Sequence, residues 1–143
     1  MREILFCGKR IDNGEWVEGS LLKVSLNGKT AHLIFGDDFI FINKDVKALN
    51  HALVDPAAVG QYTGLTDKNG KKIFEGDIVK GIFLFGKQIL SVVKFSEGSF
   101  GLAWQRGNVE EFSPFTGMCN VKYEVIGNIH DNPELLKGED LRT

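Results

Sequence analysis

The segment VGQYTGLTDKNGKKIFEGDIVKG, residues 59–81, decides how the chain folds. It places glycine, lysine and aspartate between short apolar stretches. The run Asp67-Lys68-Asn69-Gly70 is a strong β-turn signal, because asparagine and glycine adopt a positive φ at little steric cost. A second turn signal, Glu75-Gly76-Asp77, leads into the apolar pair Ile78-Val79. We therefore predict a turn, a short strand, a second turn and a further strand.

The same segment does not fit the known loops for phosphate or calcium. Five residues separate Gly64 from Gly70, whereas a Walker loop has four there, and Lys72 stands where that loop has Ser or Thr. An EF-hand alignment would place Leu65 and Gly76 at its first and last ligand positions, so both carboxylates are missing. The three histidines show no HxH or HExxH spacing. We expect no metal, no cofactor and no catalytic residue, and we predict that the protein is not an enzyme.

The polar residues of this corner are our candidate binding residues. The three lysines form a basic cluster that is either a solvated turn or a contact for phosphate or an acidic partner. The three residues after Gly60 either line a surface groove or lock two parts of the chain together. The candidate residues are Gln61, Tyr62, Thr63, Lys68, Lys71 and Lys72.

Composition narrows the class of protein. The chain has 143 residues with 17 glycines and only 3 prolines, and its short apolar runs between glycines predict strands joined by tight turns. Its net charge of −2 gives no general attraction to nucleic acid. No segment approaches the ~18 apolar residues of a membrane span. We expect a soluble intracellular protein with no membrane partner.

The sequence of the first part of the chain, up to about residue 43, predicts strands. We predict a four-stranded meander over 2–43, with turns at Asn13-Gly14, Asn27-Gly28 and Gly36-Asp37-Asp38. The segment 44–58 fits either a helix face or a loop. Its Asp55-Pro56 pair resembles a helix N-cap followed by proline at the first helical position, which predicts a single helical turn at most.

The sequence of the second part of the chain predicts further strands and a short helix. Residues 105–122 carry no clear pattern. Asn132-Pro133 repeats the cap signal, so we predict a short C-terminal helix that Gly138 ends and that lays Leu135 and Leu136 on a sheet. The predicted strands are 78–85, 88–95, 100–104 and 123–130, the first three joined at Gly86-Lys87 and Glu97-Gly98.

Three blocks of the sequence resemble the hallmark blocks of the YopX family, whose members are small proteins encoded by phages and prophages. The blocks are FCGKRIDNGEWVEGSLL (6–22), VGQYTGLTDKNGKKIFEGDIVK (59–80) and YEVIGNIHDNPELL (123–136). Cys7 and Ala58 depart from the pattern, where arginine and threonine are expected. The resemblance implies a mainly β structure with an SH3-like barrel in its C-terminal part. It implies no reaction, and a product located in the cytoplasm of a bacterial host.

These observations predict a mainly β fold with few short helical turns. Residues 1–58 are predicted to form an N-terminal β subdomain and residues 59–143 an SH3-like barrel subdomain. The function we favour is a non-enzymatic protein-interaction module that binds a host or phage protein or forms a homo-oligomer, since exposed strand edges pair with other chains. The alternative is a small barrel that binds nucleic acid through Tyr62 and the lysines, which the acidic balance disfavours.

Overall fold

The structure, a computed structural model, describes residues 3–36, 39–42, 45–48, 51–84, 86–115 and 123–137. It divides the chain into two compact units, Met1–Tyr62 and Thr63–Thr143. The predicted domain boundary after residue 58 stays a prediction.

The described residues form strands and one 3-10 helix, Pro133–Leu136, so the predicted mainly β fold is confirmed. The strands are β1 Phe6–Arg10, β2 Trp16–Leu26, β3 Lys29–Phe35, β4 Phe39–Ile42, β5 Asp45–Ala48, β6 His51–Thr66, β7 Lys72–Phe74, β8 Asp77–Leu84, β9 Lys87–Ser96, β10 Ser99–Arg106, β11 Val109–Pro114 and β12 Glu124–Asn128.

Four strands of the first unit, β1, β2, β3 and β6, form a closed cycle of pairings. β2 pairs with β1 and β3, β3 pairs with β6, and β6 pairs back with β1, all antiparallel. Side chains alternate between the two faces of a strand. The side chains on one face of these strands therefore form a buried cluster of Ile34, Ala52 and Val54, and the side chains on the other face point outward.

Two of the hairpin turns predicted in the first unit are confirmed. Gly14 has a φ of 73° and its N–H donates to the carbonyl of Arg10 at 3.0 Å, which closes the turn between β1 and β2. Between β2 and β3, Asn27 and Gly28 have φ of 52° and 76°. A positive φ at both central residues defines the type I′ turn that matches the twist of a hairpin. The predicted turn residues Asp37 and Asp38 lie outside the described residues.

The predicted fourth strand is confirmed as β4, but its predicted place in the meander is wrong. β4 pairs with β5 in a separate two-stranded sheet, and β6 takes the place beside β3. The helical turn predicted at Asp55-Pro56 is also wrong, because both residues lie within β6. The ladder between β1 and β6 is interrupted there, so proline loses no partner for its missing N–H. The Asp55 carboxylate instead accepts the N–H of Ala57 at 3.0 Å within a local bend.

The second unit contains a five-stranded antiparallel sheet in the order β11-β10-β9-β8-β12. The last residues of β6 belong to this unit, and β7 pairs with β6. The core is a buried cluster against which Leu65, Trp104, Phe115 and Tyr123 pack. Its members are Ile73, Val79, Val93, Leu102 and Val125.

Most predicted strands of this unit are confirmed within a few residues. Glu97 and Gly98 have φ of 51° and 84°, so the hairpin between β9 and β10 closes as predicted. The unpatterned segment 105–122 includes the end of β10 and all of β11, which sequence reasoning missed. The predicted C-terminal helix is a single 3-10 turn that begins with Pro133. The predicted stop at Gly138 lies outside the described residues, and the SH3-like barrel stays a prediction.

Candidate interaction surface

The corner at residues 67–71 is organised by one buried carboxylate. Asp67 is 5% exposed, and its Oδ1 accepts the N–H groups of Asn69 at 2.8 Å and Lys71 at 2.9 Å. Its Oδ2 accepts the N–H of Val125, in β12, at 2.9 Å. The backbone adds a bond from the N–H of Lys68 to the carbonyl of Tyr123 at 2.8 Å. The carboxylate therefore closes the turn and also ties it to the last strand.

These donors set the charge state of Asp67. Burial alone works to raise the pKa of the carboxyl, but the N–H groups of Val125, Lys71 and Asn69 outweigh it and hold the pKa below its ordinary value of 3.8. Hydrogen bonds to the charged form of a carboxyl favour that form. Asp67 is thus ionised at neutral pH, although its side chain is buried.

The lysines of the corner lie in different surroundings. The Nζ of Lys68 lies 3.2 Å from Glu124 Oε1, and the Nζ of Lys80 lies 3.4 Å from the same oxygen. The hydrogen bond from Lys68 is the largest effect on the pKa of the Glu124 carboxyl and lowers it. Burial opposes this, but the hydrogen bond from Lys80 and the charges of both lysines add to the lowering. Lys71 is exposed and Lys72 is half-buried. Contacts of these lysines with another molecule stay a prediction.

The other three candidate residues lie in β6. Gln61 is half-buried and pairs with Phe6 of β1. Tyr62 is 8% exposed and its N–H donates to the carbonyl of Leu5. In the second unit, the buried Thr63 hydroxyl donates to the carbonyl of Ile73 at 2.8 Å and accepts the N–H of Leu65 at 3.1 Å. Gln61 and Tyr62 thus form backbone contacts, and Thr63 forms hydroxyl contacts, within their own units. A role of these residues in binding stays a prediction.

The described residues offer few other groups of side chains that could bind a metal ion or a small ligand. No group of three or more His, Cys, Asp and Glu side chains that could hold a metal ion occurs among the described residues. A groove of about 280 Å³ lies on the second unit, with Val92 and Ala103 of the sheet facing Leu136 of the 3-10 helix. This volume is below the ~300–1,000 Å³ of usual ligand pockets. Within the described ranges, no helix has the length and apolarity needed to cross a membrane.

The clearest surface feature is a row of exposed and half-buried apolar side chains on the outward face of the first unit. Leu22 of β2 pairs with Leu33 of β3, which pairs with Leu53 of β6, so the three side chains lie side by side across the sheet. Leu22 is 48% exposed and Leu53 47%. Val24, 43% exposed, lies next along β2, and Ile11, 59% exposed, donates its N–H to the Leu53 carbonyl. We call Ile11, Leu22, Val24, Leu33 and Leu53 the apolar row.

Sequence reasoning missed the apolar row, although part of its signal is visible. In EGSLLKVSL, residues 18–26, leucine and valine occupy both faces of the strand, so the pattern does not tell which face is buried. The structure assigns Leu21 to the core side, packed against the buried cluster of the unit, and leaves Leu22 outside. The pairing of Leu33 with Leu53 depends on β6, which the sequence did not predict.

Comparison with known proteins identifies a matching family model and a similar solved structure. The family model described as YopX protein matches residues 6–137. The chain is similar to the crystal structure of protein EF1440 from Enterococcus faecalis, with 24% sequence identity, a TM-score of 0.61, and coverage of 96% of this chain and 100% of that chain. Identity at this level supports a shared fold only. No curated protein matches the chain significantly.

Proposed function

The chain belongs to the YopX protein family, and from that premise we propose that it is a non-enzymatic protein-interaction module of phage or prophage origin. We place its action in the cytoplasm of a bacterial host. The observation that supports this proposal is the apolar row. Single exposed apolar side chains are common on soluble proteins, but a contiguous set of them is typical of a surface that another molecule covers.

The size of the apolar row limits what it contributes to binding. About half of the surface of Leu22, Val24 and Leu53 remains to be buried, so each contributes about 1 kcal/mol when a partner covers it. A micromolar complex requires about 8 kcal/mol. The apolar row alone is therefore too weak for a stable complex, and we expect backbone or polar contacts beside it to supply the rest.

For the second unit we propose the SH3-like barrel that family membership suggests. The support is that β8, β9, β10 and β11 follow one another as antiparallel neighbours around one core cluster. The Asp67 carboxylate holds the corner before β7 against β12. We infer that binding takes place on the first unit.

The experiment is affinity purification of the tagged protein from a prophage-bearing host, with quantitative mass spectrometry. The test variant carries Leu53→Ser and Ile11→Ser, which change the two exposed members of the apolar row that lie outside β2. The matched control carries Phe95→Ser and Val109→Ser, which remove side chains of the second unit that are 54% and 60% exposed.

We expect wild type and control to retain the same protein partner and the test variant to lose it. A partner that the test variant retains at wild-type level would contradict the proposal. Failure of the wild-type protein to retain any partner would contradict it as well.

A further inference from the structure

Strand β2 has a free edge along its second half. β1 pairs with β2 only from Trp16 to Gly19. β3 pairs with the other edge of β2 from Ser20 to Leu26. Among the described strand pairings, none occupies the remaining edge of residues 20–26. An unpaired row of N–H and C=O groups is a template for a strand of another chain.

The hairpin turn fixes which backbone groups point to this edge. β2 and β3 close on a two-residue turn, so Leu26 and Lys29 flank it as the last hydrogen-bonded pair of the ladder. Hydrogen-bonded and non-hydrogen-bonded pairs alternate along an antiparallel ladder. Val24 therefore bonds to β3, while Lys23 and Ser25 direct their N–H and C=O groups to the free edge.

We propose that a second copy of the chain pairs antiparallel with this edge, around a two-fold axis at Val24. This inference rests on the proposed function and names a partner for it. Lys23 then exchanges both backbone hydrogen bonds with Ser25 of the second copy, and Ser25 does so with Lys23 of the second copy. Val24 lies opposite Val24 of the second copy, in a non-hydrogen-bonded pair.

Two neighbouring registers are less favourable. An axis at Lys23 would place the two Lys23 ammonium groups opposite each other, and directly opposed like charges destabilise a sheet. An axis at Leu22 would place Ser25 of the second copy across from Gly19, where β1 already pairs through Phe6. The axis at Val24 keeps both strands within their free edges.

The register with its axis at Val24 also brings the apolar rows of the two copies together. Leu22 and Val24 are 48% and 43% exposed and lie on one face of β2. Around the axis at Val24, these residues of both copies line up on the same face of a continuous sheet. The apolar row of one copy thus continues into that of the other, and the backbone hydrogen bonds add the contacts that the row lacks.

The first test is sedimentation equilibrium of the full chain over a concentration series. We expect a dimer that dissociates at concentrations on the order of micromolar. The Ser25→Pro substitution removes an N–H that points to the free edge and leaves the backbone hydrogen bonds to β3 in place. It loses the side-chain hydrogen bond to Thr30, as does Ser25→Ala. We expect Ser25→Pro to be monomeric and its control, Ser25→Ala, to dimerise like wild type. A wild type that is monomeric throughout, or a Ser25→Pro variant that dimerises equally, would overturn the proposal.

The second test does not depend on the folding of the proline variant. Val24→Cys, in a Cys119→Ser background, is expected to form a disulfide-linked dimer under mild oxidation. Cα atoms of a non-hydrogen-bonded antiparallel pair lie about 4.5 Å apart, within reach of a disulfide. Lys23→Cys is the control and is expected to form no disulfide-linked dimer. Cross-linking of Lys23→Cys at an equal or greater rate would refute this register.

The two proposals fail in distinguishable ways. A monomeric protein whose partner is lost with Leu53→Ser and Ile11→Ser would refute self-pairing and keep the interaction module. A dimer that cross-links through Val24→Cys, combined with no partner from the host, would keep self-pairing and refute binding to a host or phage protein.

Discussion

The carboxylate of Asp67 accepts the backbone N–H of Val125 at 2.9 Å, across 58 positions of the sequence. The same carboxylate accepts the N–H groups of Asn69 and Lys71 in its own turn. The lysine-bearing corner is therefore built around a buried anion that satisfies backbone donors from two distant segments. This arrangement explains the Asp-Lys-Asn-Gly sequence by backbone geometry.

We predict that Asp67→Ala lowers the free energy of unfolding by about 3–5 kcal/mol. A buried N–H donor that loses its acceptor costs roughly 1–3 kcal/mol. Here Val125 loses its acceptor in a buried position, and Asn69 and Lys71 lose theirs in partly buried positions. Asp55→Ala is the matched control, because the exposed Asp55 carboxylate accepts one local N–H. We expect it to cost about 1 kcal/mol or less. Urea denaturation measures both, and equal losses for the two variants would contradict the role of Asp67.

The stability of the protein is expected to fall in acid because of Asp67. Its folded-state pKa lies below the ordinary value of 3.8. The unfolded chain therefore binds a proton before the folded chain does, so the stabilisation is complete above 3.8 and is lost as pH falls through the folded-state pKa.

Asp67→Asn removes this titration and isolates its contribution. Glu124 and Asp12 also have lowered pKa values, so some acid dependence remains in the variant. We expect the unfolding free energy of wild type to fall more steeply than that of Asp67→Asn between about pH 5 and pH 2. Parallel pH profiles of the two proteins would refute this prediction.

Gly19→Ala is predicted to destabilise the first unit by about 3 kcal/mol or more. A Cβ at this position would lie 2.0 Å from the carbonyl oxygen of Phe35, which is backbone and cannot move aside without breaking the β2–β3 ladder. Gly28→Ala is the control. Its Cβ would meet no atom within 4 Å and only its positive φ is strained, which costs about 1 kcal/mol. Thermal unfolding that ranks Gly28→Ala as the more harmful change would be inconsistent with this packing.

The combined substitution Lys71→Glu and Lys72→Glu is predicted to change the unfolding free energy by less than about 1 kcal/mol, since surface charges contribute little. It also tests the nucleic-acid alternative. Binding through phosphate contacts weakens steeply with salt. We expect no complex of the wild-type protein with nucleic acid in a low-salt gel-shift assay. A salt-sensitive complex that the double variant loses would instead support a phosphate contact at this corner.

The parts of the fold that were predictable from sequence are those with a local cause. Asn27-Gly28 and Glu97-Gly98 specify their turns because their φ values are set within the turn. Asp55-Pro56 misled the prediction, because a cap signal is also satisfied by an Asx bend within a strand. The partner of Asp67 could not be predicted, since nothing in the turn indicates that Val125 lies beside it. The apolar row depends in the same way on the long-range pairing of Leu33 with Leu53.

The central claim, that the protein acts through the apolar row, is tested most directly by carbene footprinting of the wild-type protein. Labelling of exposed side chains is compared between dilute purified protein and the same protein in host lysate. We predict that labelling of Leu22, Val24 and Leu53 falls in lysate, while that of Phe95 and Val109 stays unchanged. Equal labelling of the apolar row in both conditions, or protection confined to Phe95 and Val109, would contradict it.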